Sequence, residues 1–367
     1  MFQECVGVNV FMMQQSSLER PRKTGMRVAL MTGGGDCPGL NAVIRAVVRT
    51  VENSEGTCVG ILEGWRGLVE EITIPLTAHD TDEIIGRGGT ILGSSRTNPY
   101  RNPDHVERVI QSFKTLELDA LIAIGGDDTL SVAARLWEEH QLAVVGVPKT
   151  IDNDLSCTDF TFGFDTAVNI VTEAVDRLRT TAESHRRIVV VETMGRHAGW
   201  IACFSGIATA ADYILIPEIP IDVDHMCEVL EKRRSQGKLY GLVIVSEGAK
   251  LPDAEVITQS AAIDDFGHVK LGGIGEIIAD VVEKRLGYET RSVTLRHLQR
   301  GGPPSAYDRV LGTRMGIHAA RLVLDEHFGT MVALRGNQVT HSPIVEAVAE
   351  LKTLDLSYYF EAKEFFR

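Results

Sequence analysis

The sequence predicts an α/β fold built on mainly parallel sheets, and three patterns carry that expectation. Residues 27–32, 121–124, 142–147, 187–192, 213–216 and 242–245 are short, nearly continuous apolar runs without the alternation of a half-exposed strand. Such runs suit strands covered by helices on both faces, the setting of a parallel sheet. Apolar stripes at helical spacing lie between them, and 35 glycines supply the turns that strand-to-helix connections need.

In chain order, the first strand is Arg27-Val28-Ala29-Leu30-Met31-Thr32, which runs into the turn Gly33-Gly34-Gly35-Asp36-Cys37-Pro38-Gly39. A helix follows from near Asn41, because Ile44, Val47, Val48 and Val51 fall on one face at i, i+3, i+4 and i+7. Residues 59–62 give a short strand, 106–118 a helix, and 121–124 a buried strand. Residues 131–139 read as helical and 142–147 as the next strand. Ala167, Val171, Ala174, Val175 and Leu178 form another helical stripe, ahead of the buried strands at 187–192, 213–216 and 242–245.

A chain of 367 residues accommodates two domains of ordinary size. With 44% hydrophobic and 24% charged residues, it describes a soluble globular protein with substantial cores. The net charge of −13 excludes a general nucleic-acid binder, which needs a basic face to neutralise phosphates. Six cysteines show neither a CxxC pair nor zinc spacing, so they read as reduced thiols of a cytoplasmic protein. No apolar run reaches the roughly eighteen residues of a membrane helix, so no membrane partner is expected. Residues 1–25 differ in character from the rest and lack a signal-peptide pattern; the expectation is an extension outside the fold.

The residues that carry chemistry sit at strand ends. Gly125-Gly126-Asp127-Asp128-Thr129 and Pro148-Lys149-Thr150-Ile151-Asp152-Asn153-Asp154 each follow a buried strand, so each is expected to place carboxylates on a loop. Four carboxylates beside one lysine suit a metal-assisted phosphoryl transfer. One acid would hold Mg²⁺ through its waters, and another would accept a proton from an attacking hydroxyl. The plainer alternative makes Asp127 or Asp128 a cap for the helix near Ser131.

The turn 33–39 offers outward N–H groups to an anion. It is not a dinucleotide fingerprint, because Pro38 stands at the third glycine, nor a Walker A loop, because Leu40-Asn41 follow Gly39. A tight structural turn is the alternative. Gly88-Gly89-Thr90-Ile91-Leu92-Gly93-Ser94-Ser95-Arg96 ends in an arginine able to cap a transferring phosphoryl group, or else simply exposed on a surface loop. Further basic residues cluster at Arg186-Arg187, at Met194-Gly195-Arg196, and from Arg291 through Arg296-His297 to Arg300-Gly301-Gly302. Arginine forks suit the oxygens of a phosphosugar. Asp265-Phe266-Gly267 spells the metal-binding triplet of protein kinases but lacks its companion motifs; it reads as a hairpin turn in an inserted segment, residues 253–270.

Taken together, these segments resemble the phosphofructokinase family from Met26 to about Met315. The carriers are TGGGDCPGLN (32–41), GGTILGSSR (88–96), GGDDT (125–129), PKTIDND (148–154), RIVVVETMGRHAG (187–199), SEG (246–248) and RSVTLRHLQRGG (291–302). The resemblance implies two Rossmann-like domains with the active site in the interdomain cleft, and phosphorylation of fructose 6-phosphate at O1. The expected division is a phosphoryl-donor-binding domain of residues 26–163 plus 299–349, and a sugar-phosphate-binding domain of residues 164–298 plus 350–367.

The resemblance also implies roles. Asp152 matches the general base, Asp127 the Mg²⁺ residue with Asp154 a supporting acid nearby, Gly34 the glycine approached by the donor, and Arg96 an arginine near the transferring group. Thr150, Met194, Gly195, Arg196, Glu247, His297 and Arg300 match sugar-phosphate contacts, and Ile151, Leu298 and Gln299 share those stretches. Arg187 and Arg291 match arginines that reach a neighbouring subunit's site, which implies a homodimer or homotetramer.

Two departures bear on the donor. ATP-using members look like Gly-Gly-Asp-Gly and Pro-Gly-Thr-Ile-Asp at these loops, whereas here Asp128 and Lys149 replace the two glycines. A carboxylate at 128 costs space and like-charge repulsion where the α-phosphate of ATP must lie. Lys149 reaches toward the transferred phosphoryl. The pair resembles the pyrophosphate-dependent branch, so the expected catalytic set is Asp152, Lys149, Asp128 and Arg196, with Mg²⁺, pyrophosphate and fructose 6-phosphate. An ATP-dependent phosphofructokinase is the alternative. A catalytically silent sugar-phosphate sensor is disfavoured by the intact Asp127, Asp152 and Arg196.

Overall fold

The computed structural model describes residues 22–251, 258–263 and 269–366. The first half alternates strand and helix: β1 (Arg27–Thr32), α1 (Leu40–Glu52), β2 (Thr57–Ile61), α2 (Trp65–Glu70), β3 (Thr73–Leu76), α3 (Pro103–Thr115), β4 (Ala120–Gly125), α4 (Asp127–His140) and β5 (Val144–Pro148). The middle repeats the pattern: α5 (Phe164–His185), β6 (Ile188–Thr193), α6 (Trp200–Ala208), β7 (Tyr213–Leu215), α7 (Val223–Ser235), β8 (Gly241–Ser246), β9 (Thr258–Ile263), β10 (Val269–Leu271), α8 (Ile274–Leu286) and β11 (Thr290–Thr294). The chain closes with α9 (Ala306–Leu324), β12 (Thr330–Arg335), β13 (Gln338–Pro343), α10 (Ile344–Ala347) and α11 (Leu356–Lys363).

Two mainly parallel sheets result. The larger has the order β13-β12-β5-β4-β1-β2-β3, antiparallel only where β13 and β3 join its edges. The smaller has the order β11-β6-β8-β7 and is parallel throughout. Burial explains the continuous apolar runs. Leu30 and Ile122 face one core together with α1 and α9, while Ala29, Met31 and Leu121 face a second core with α3 and α4. Each such leucine, isoleucine or methionine contributes about 1.5–3 kcal/mol by leaving water, and only helices on both faces make that possible.

Helices α5 and α9 link the two sheets. Asp308 at the start of α9 accepts from Thr166 N at 2.8 Å and from Thr166 Oγ1 at 2.5 Å, and Ser305 Oγ donates to Asp165 at 2.5 Å. These buried bonds fix the angle between the layers, and so the cleft.

Several boundaries differ from expectation. The helix expected at 106–118 starts at Pro103, behind an Asn102 side chain that accepts from Asp104 N at 3.1 Å; proline at a first helical position costs no hydrogen bond. Contact with the fold begins at Arg22 and not at Met26. Lys23 N donates to Leu324 O at 3.0 Å, and Arg22 pairs with Asp325 at 3.1 Å. Residues 1–21 of the expected extension lie outside the described residues. Strands β9 and β10 pair antiparallel as a separate two-stranded sheet within the expected insertion, and the Asp265-Phe266-Gly267 turn lies outside the described residues. Among the described residues no helix is long and apolar enough to cross a membrane.

Candidate active site

Strands β1, β4 and β5 lie side by side in register, Thr32 against Ile124 and Gly125 against Pro148, so the loops that follow them emerge together. The carboxyl edge of a parallel sheet is where such folds place ligands. Backbone bonds lock the loops: Gly33 N donates to Ile124 O at 3.0 Å and Lys149 N to Gly125 O at 2.9 Å. Thr129 wedges beneath them. A Cβ on Gly33 or Gly125 would lie 2.4 or 2.3 Å from its side chain, so close approach requires glycine at both positions. Gly34 takes φ +75°, which a side chain would strain.

These loops form one wall of a cleft with an empty volume of about 410 Å³. Gly34, Asp127, Asp128, Lys149 and Asp152 line it, together with Arg196 and Arg300. The structure thus brings together the glycine turn, the acid pair, the lysine, the expected base and two of the expected sugar-phosphate arginines.

Asp127 and Asp128 are not on a loop. They form the first turn of α4, whose N-cap is Gly126. Only Gly126 separates the end of β4 from the helix, which starts four residues before the expected Ser131. Neither acid is the cap. Both sit where unpaired amide N–H groups and the helix dipole favour negative charge, and Asp127 Oδ1 lies 3.5 Å from Ser131 Oγ. Among the described residues no cluster of three acids, histidines or cysteines is spaced to hold a metal. The donor set still suits Mg²⁺, which keeps waters and takes one or two carboxylates plus phosphate oxygens. Asp127, the expected Mg²⁺ residue, lies on the cleft wall next to Asp128.

Asp152 is 4% exposed. Its backbone N donates to Thr150 Oγ1 at 3.0 Å, Oδ2 lies 4.0 Å from Arg300 Nη2, and Oδ1 is buried without a hydrogen-bond partner among the described residues. Such an oxygen is costly unless a ligand group meets it. Burial, with the Asp152 charge beside it, holds the Asp154 carboxyl well above the ordinary range. Burial and then Asp152 push Glu247 up to about 7, and its carboxylate accepts from Arg196 N at 3.3 Å. Lys149 is buried, its Nζ donates to Gly35 O, and desolvation lowers its proton affinity.

The loop after β6 carries the arginine from the second sheet. Gly195 has φ +140°, and a Cβ there would lie 2.5 Å from Ala198 O, so the turn that presents Arg196 needs glycine. Gln299 is fully buried and works through backbone, its Oε1 accepting from Met194 N at 3.2 Å. Gly34 N donates to Ser95 O at 3.4 Å and Ser94 Oγ donates to Gly34 O, so the Arg96 loop is tied to the glycine turn, with Arg96 itself exposed.

Other expected residues are not gathered here. The Ile151 side chain is fully buried in the core, because the chain must anchor between Thr150 and Asp152; it offers the cleft no side-chain contact. His297 and Leu298 lie on an exposed 3-10 turn, Leu298 at 69% exposure, and do not line the cleft. Arg187 and Arg291 stand at the opposite, amino-terminal ends of β6 and β11. Both pair with Glu289, at 3.0 and 2.7 Å. Gly35 and Asp36 lie in the turn singled out from the sequence, but the contacts of their carbonyls with Lys149 and Arg300, and the wedge of Thr129, escaped that reading. Thr129 lay within the acidic motif, but nothing in the residue order signals a wedge.

Residues 27–323 match the family described as Phosphofructokinase. The chain belongs to the phosphofructokinase family. It is 53% identical, over 93% of its length and 100% of the relative's, to the Pyrophosphate--fructose 6-phosphate 1-phosphotransferase of Streptomyces coelicolor. It is 47% identical, over 93% of its length and 99% of the relative's, to the ATP-dependent 6-phosphofructokinase of Corynebacterium efficiens. In structure it is similar to the phosphofructokinase of Saccharomyces cerevisiae, with a TM-score of 0.77 and 32% identity over 93% of this chain and 47% of the yeast chain. Relatives of both donor types are therefore close, and the choice between them rests on Asp128 and Lys149 in the cleft.

Proposed function

We propose that this family member transfers phosphate from pyrophosphate to O1 of fructose 6-phosphate, giving fructose 1,6-bisphosphate and phosphate. The observation that carries this reading is that Asp128 and Lys149 line the same cleft as Gly34, which would make them the donor wall. A carboxylate there repels a nucleotide's additional phosphate. A buried lysine stabilises the charge that develops on a departing phosphate.

The sugar 1-hydroxyl approaches Asp152, whose unpartnered Oδ1 accepts its proton. The O1–P bond forms as the bond from phosphorus to the bridging oxygen of pyrophosphate breaks, and phosphate leaves on the Lys149 side. Arg196, together with Lys149, balances the transferring oxygens; Arg300 holds the sugar side and the glycine turn together. Mg²⁺ bound to Asp127 and the donor's oxygens would neutralise donor charge. Because pyrophosphate and the sugar ester differ little in transfer potential, the reaction runs both ways.

Arg187 and Arg291 face away from their own cleft, which supports a homo-oligomer in which they serve a neighbour's site. The five described cysteines are all free, in keeping with a cytoplasmic enzyme. A direct test is the reverse reaction, in which fructose 1,6-bisphosphate and phosphate should release pyrophosphate, seen by phosphorus NMR. Absence of pyrophosphate under conditions that support forward turnover would contradict the reading. The ATP-dependent alternative is favoured by the names of several relatives, among them that of Corynebacterium efficiens at 47% identity and one of Streptomyces coelicolor at 48%.

A further inference from the structure

The chain after β13 returns toward the smaller sheet, and on its way it lies along the loop that carries Asp152. Leu351 forms an antiparallel bridge with Leu155, Lys352 N donates to Asp154 O at 2.9 Å, and Ser156 Oγ donates to Glu350 O at 2.7 Å. The Lys352 ammonium then turns inward. It donates to Asn153 Oδ1 at 3.0 Å, Thr158 O at 2.8 Å and Asp159 O at 2.9 Å. An ammonium has three donors, and all three are used here. Its charge lies 5.1 Å from the centre of the Trp200 ring.

Asn153 stands between Asp152 and Asp154. It is fully buried and has φ 52°, in the left-handed region that a residue other than glycine keeps only when its surroundings enforce it. Its side chain is held at both ends: Oδ1 also accepts from Thr161 N at 3.1 Å, and Nδ2 donates to Asp159 O at 3.4 Å. Two residues beyond Lys352, Leu354 N donates to Glu218 Oε1 at 2.8 Å. That oxygen also accepts from Gly199 N at 2.9 Å, at the end of the loop that carries Arg196.

We propose that Lys352 is a positioning residue for the transfer: by clamping Asn153 in its left-handed conformation it fixes the direction of Asp152 in the cleft. Lys352 does not itself line the cleft; its backbone N meets Asp154 O, and its ammonium acts on Asp152 through Asn153. The inference rests on the proposed function to the extent that Asp152 is the base. The groups that face the ammonium are Asp154 and Asp159, which favour its charge, and Arg335, which opposes it; burial outweighs them and brings its proton affinity down to about 8. Below that pH the three bonds are intact. Above it the amine keeps two donors, one acceptor is left unmet, and the clamp loosens.

The test is steady-state kinetics of the full chain, with the donor that wild type uses, for Lys352→Met and Lys352→Arg. Methionine keeps the stem against Trp200 and removes the donors; kcat should fall at least about tenfold with both KM values within about threefold. Arginine keeps the charge and does not titrate. It should restore kcat to within about threefold and move the alkaline limb of kcat up by at least about one pH unit. The proposal is overturned if Lys352→Met keeps kcat within about twofold, or raises KM alone. It is overturned equally if the alkaline limb of Lys352→Arg coincides with that of wild type, an outcome that decides the matter even if the methionine variant does not fold. A wrong donor assignment appears instead in wild type, as absent pyrophosphate turnover, and leaves the variant-to-wild-type ratio readable.

Discussion

Arg300 and Asp152 meet across the cleft, with Arg300 Nη2 4.0 Å from Asp152 Oδ2 while its Nη1 donates to Asp36 O at 3.2 Å. One side chain from the turn after β11 therefore ties the glycine turn after β1 to the carboxylate after β5. Only 14% of one side chain and 6% of the other is exposed, so solvent screens this pair poorly. In the proposed reaction the sugar hydroxyl would meet Asp152 beside a fixed cation, with Oδ2 engaged and the buried Oδ1 unpartnered among the described residues.

Removing the base should separate binding from chemistry. Asp152→Asn keeps the shape and loses the proton acceptor, so kcat should fall by about 10²–10⁴-fold while fructose 6-phosphate still binds in calorimetry. Retained turnover would show that another group takes the proton.

Donor choice should respond to a single carboxylate. Asp128→Gly removes the charge and bulk at the second position of α4, and kcat/KM for ATP should rise at least about tenfold, about 1.4 kcal/mol of repulsion relieved. Unchanged ATP kinetics would remove the steric and electrostatic basis of the assignment.

Glu247 gives a pH signature. Its folded-state affinity for a proton is raised from the ordinary carboxylate range to about 7, so the acceptor form is present above pH 7 and lost below it. A carboxylate that accepts from sugar hydroxyls should make KM for fructose 6-phosphate fall as pH rises from about 6 to about 8. Glu247→Gln should flatten that slope. A slope that persists would assign it to another group.

Much of this site was legible because each motif followed a buried strand, and strand ends in a parallel sheet converge. Apolar runs such as 121–124 located β4, and the acids behind it then had to lie at the carboxyl edge. What the sequence could not reveal were contacts between distant segments. Gln299 supports Met194 through its amide, Ile151 turns inward for packing, and Lys352 clamps Asn153 from about two hundred residues away; no local pattern encodes such pairings. The start of α4 was missed for a different reason. Asp127 and Asp128 have poor intrinsic helix preference, but in a first turn the dipole and open N–H groups reward their charge.

The central claim is the donor, and the most direct measurement is kcat/KM of the purified protein with pyrophosphate and with ATP, each with Mg²⁺ and saturating fructose 6-phosphate. The predicted result is turnover on pyrophosphate exceeding that on ATP by at least about a hundredfold, as a half-buried carboxylate facing an added phosphate requires. Robust turnover on ATP with none on pyrophosphate would contradict the account.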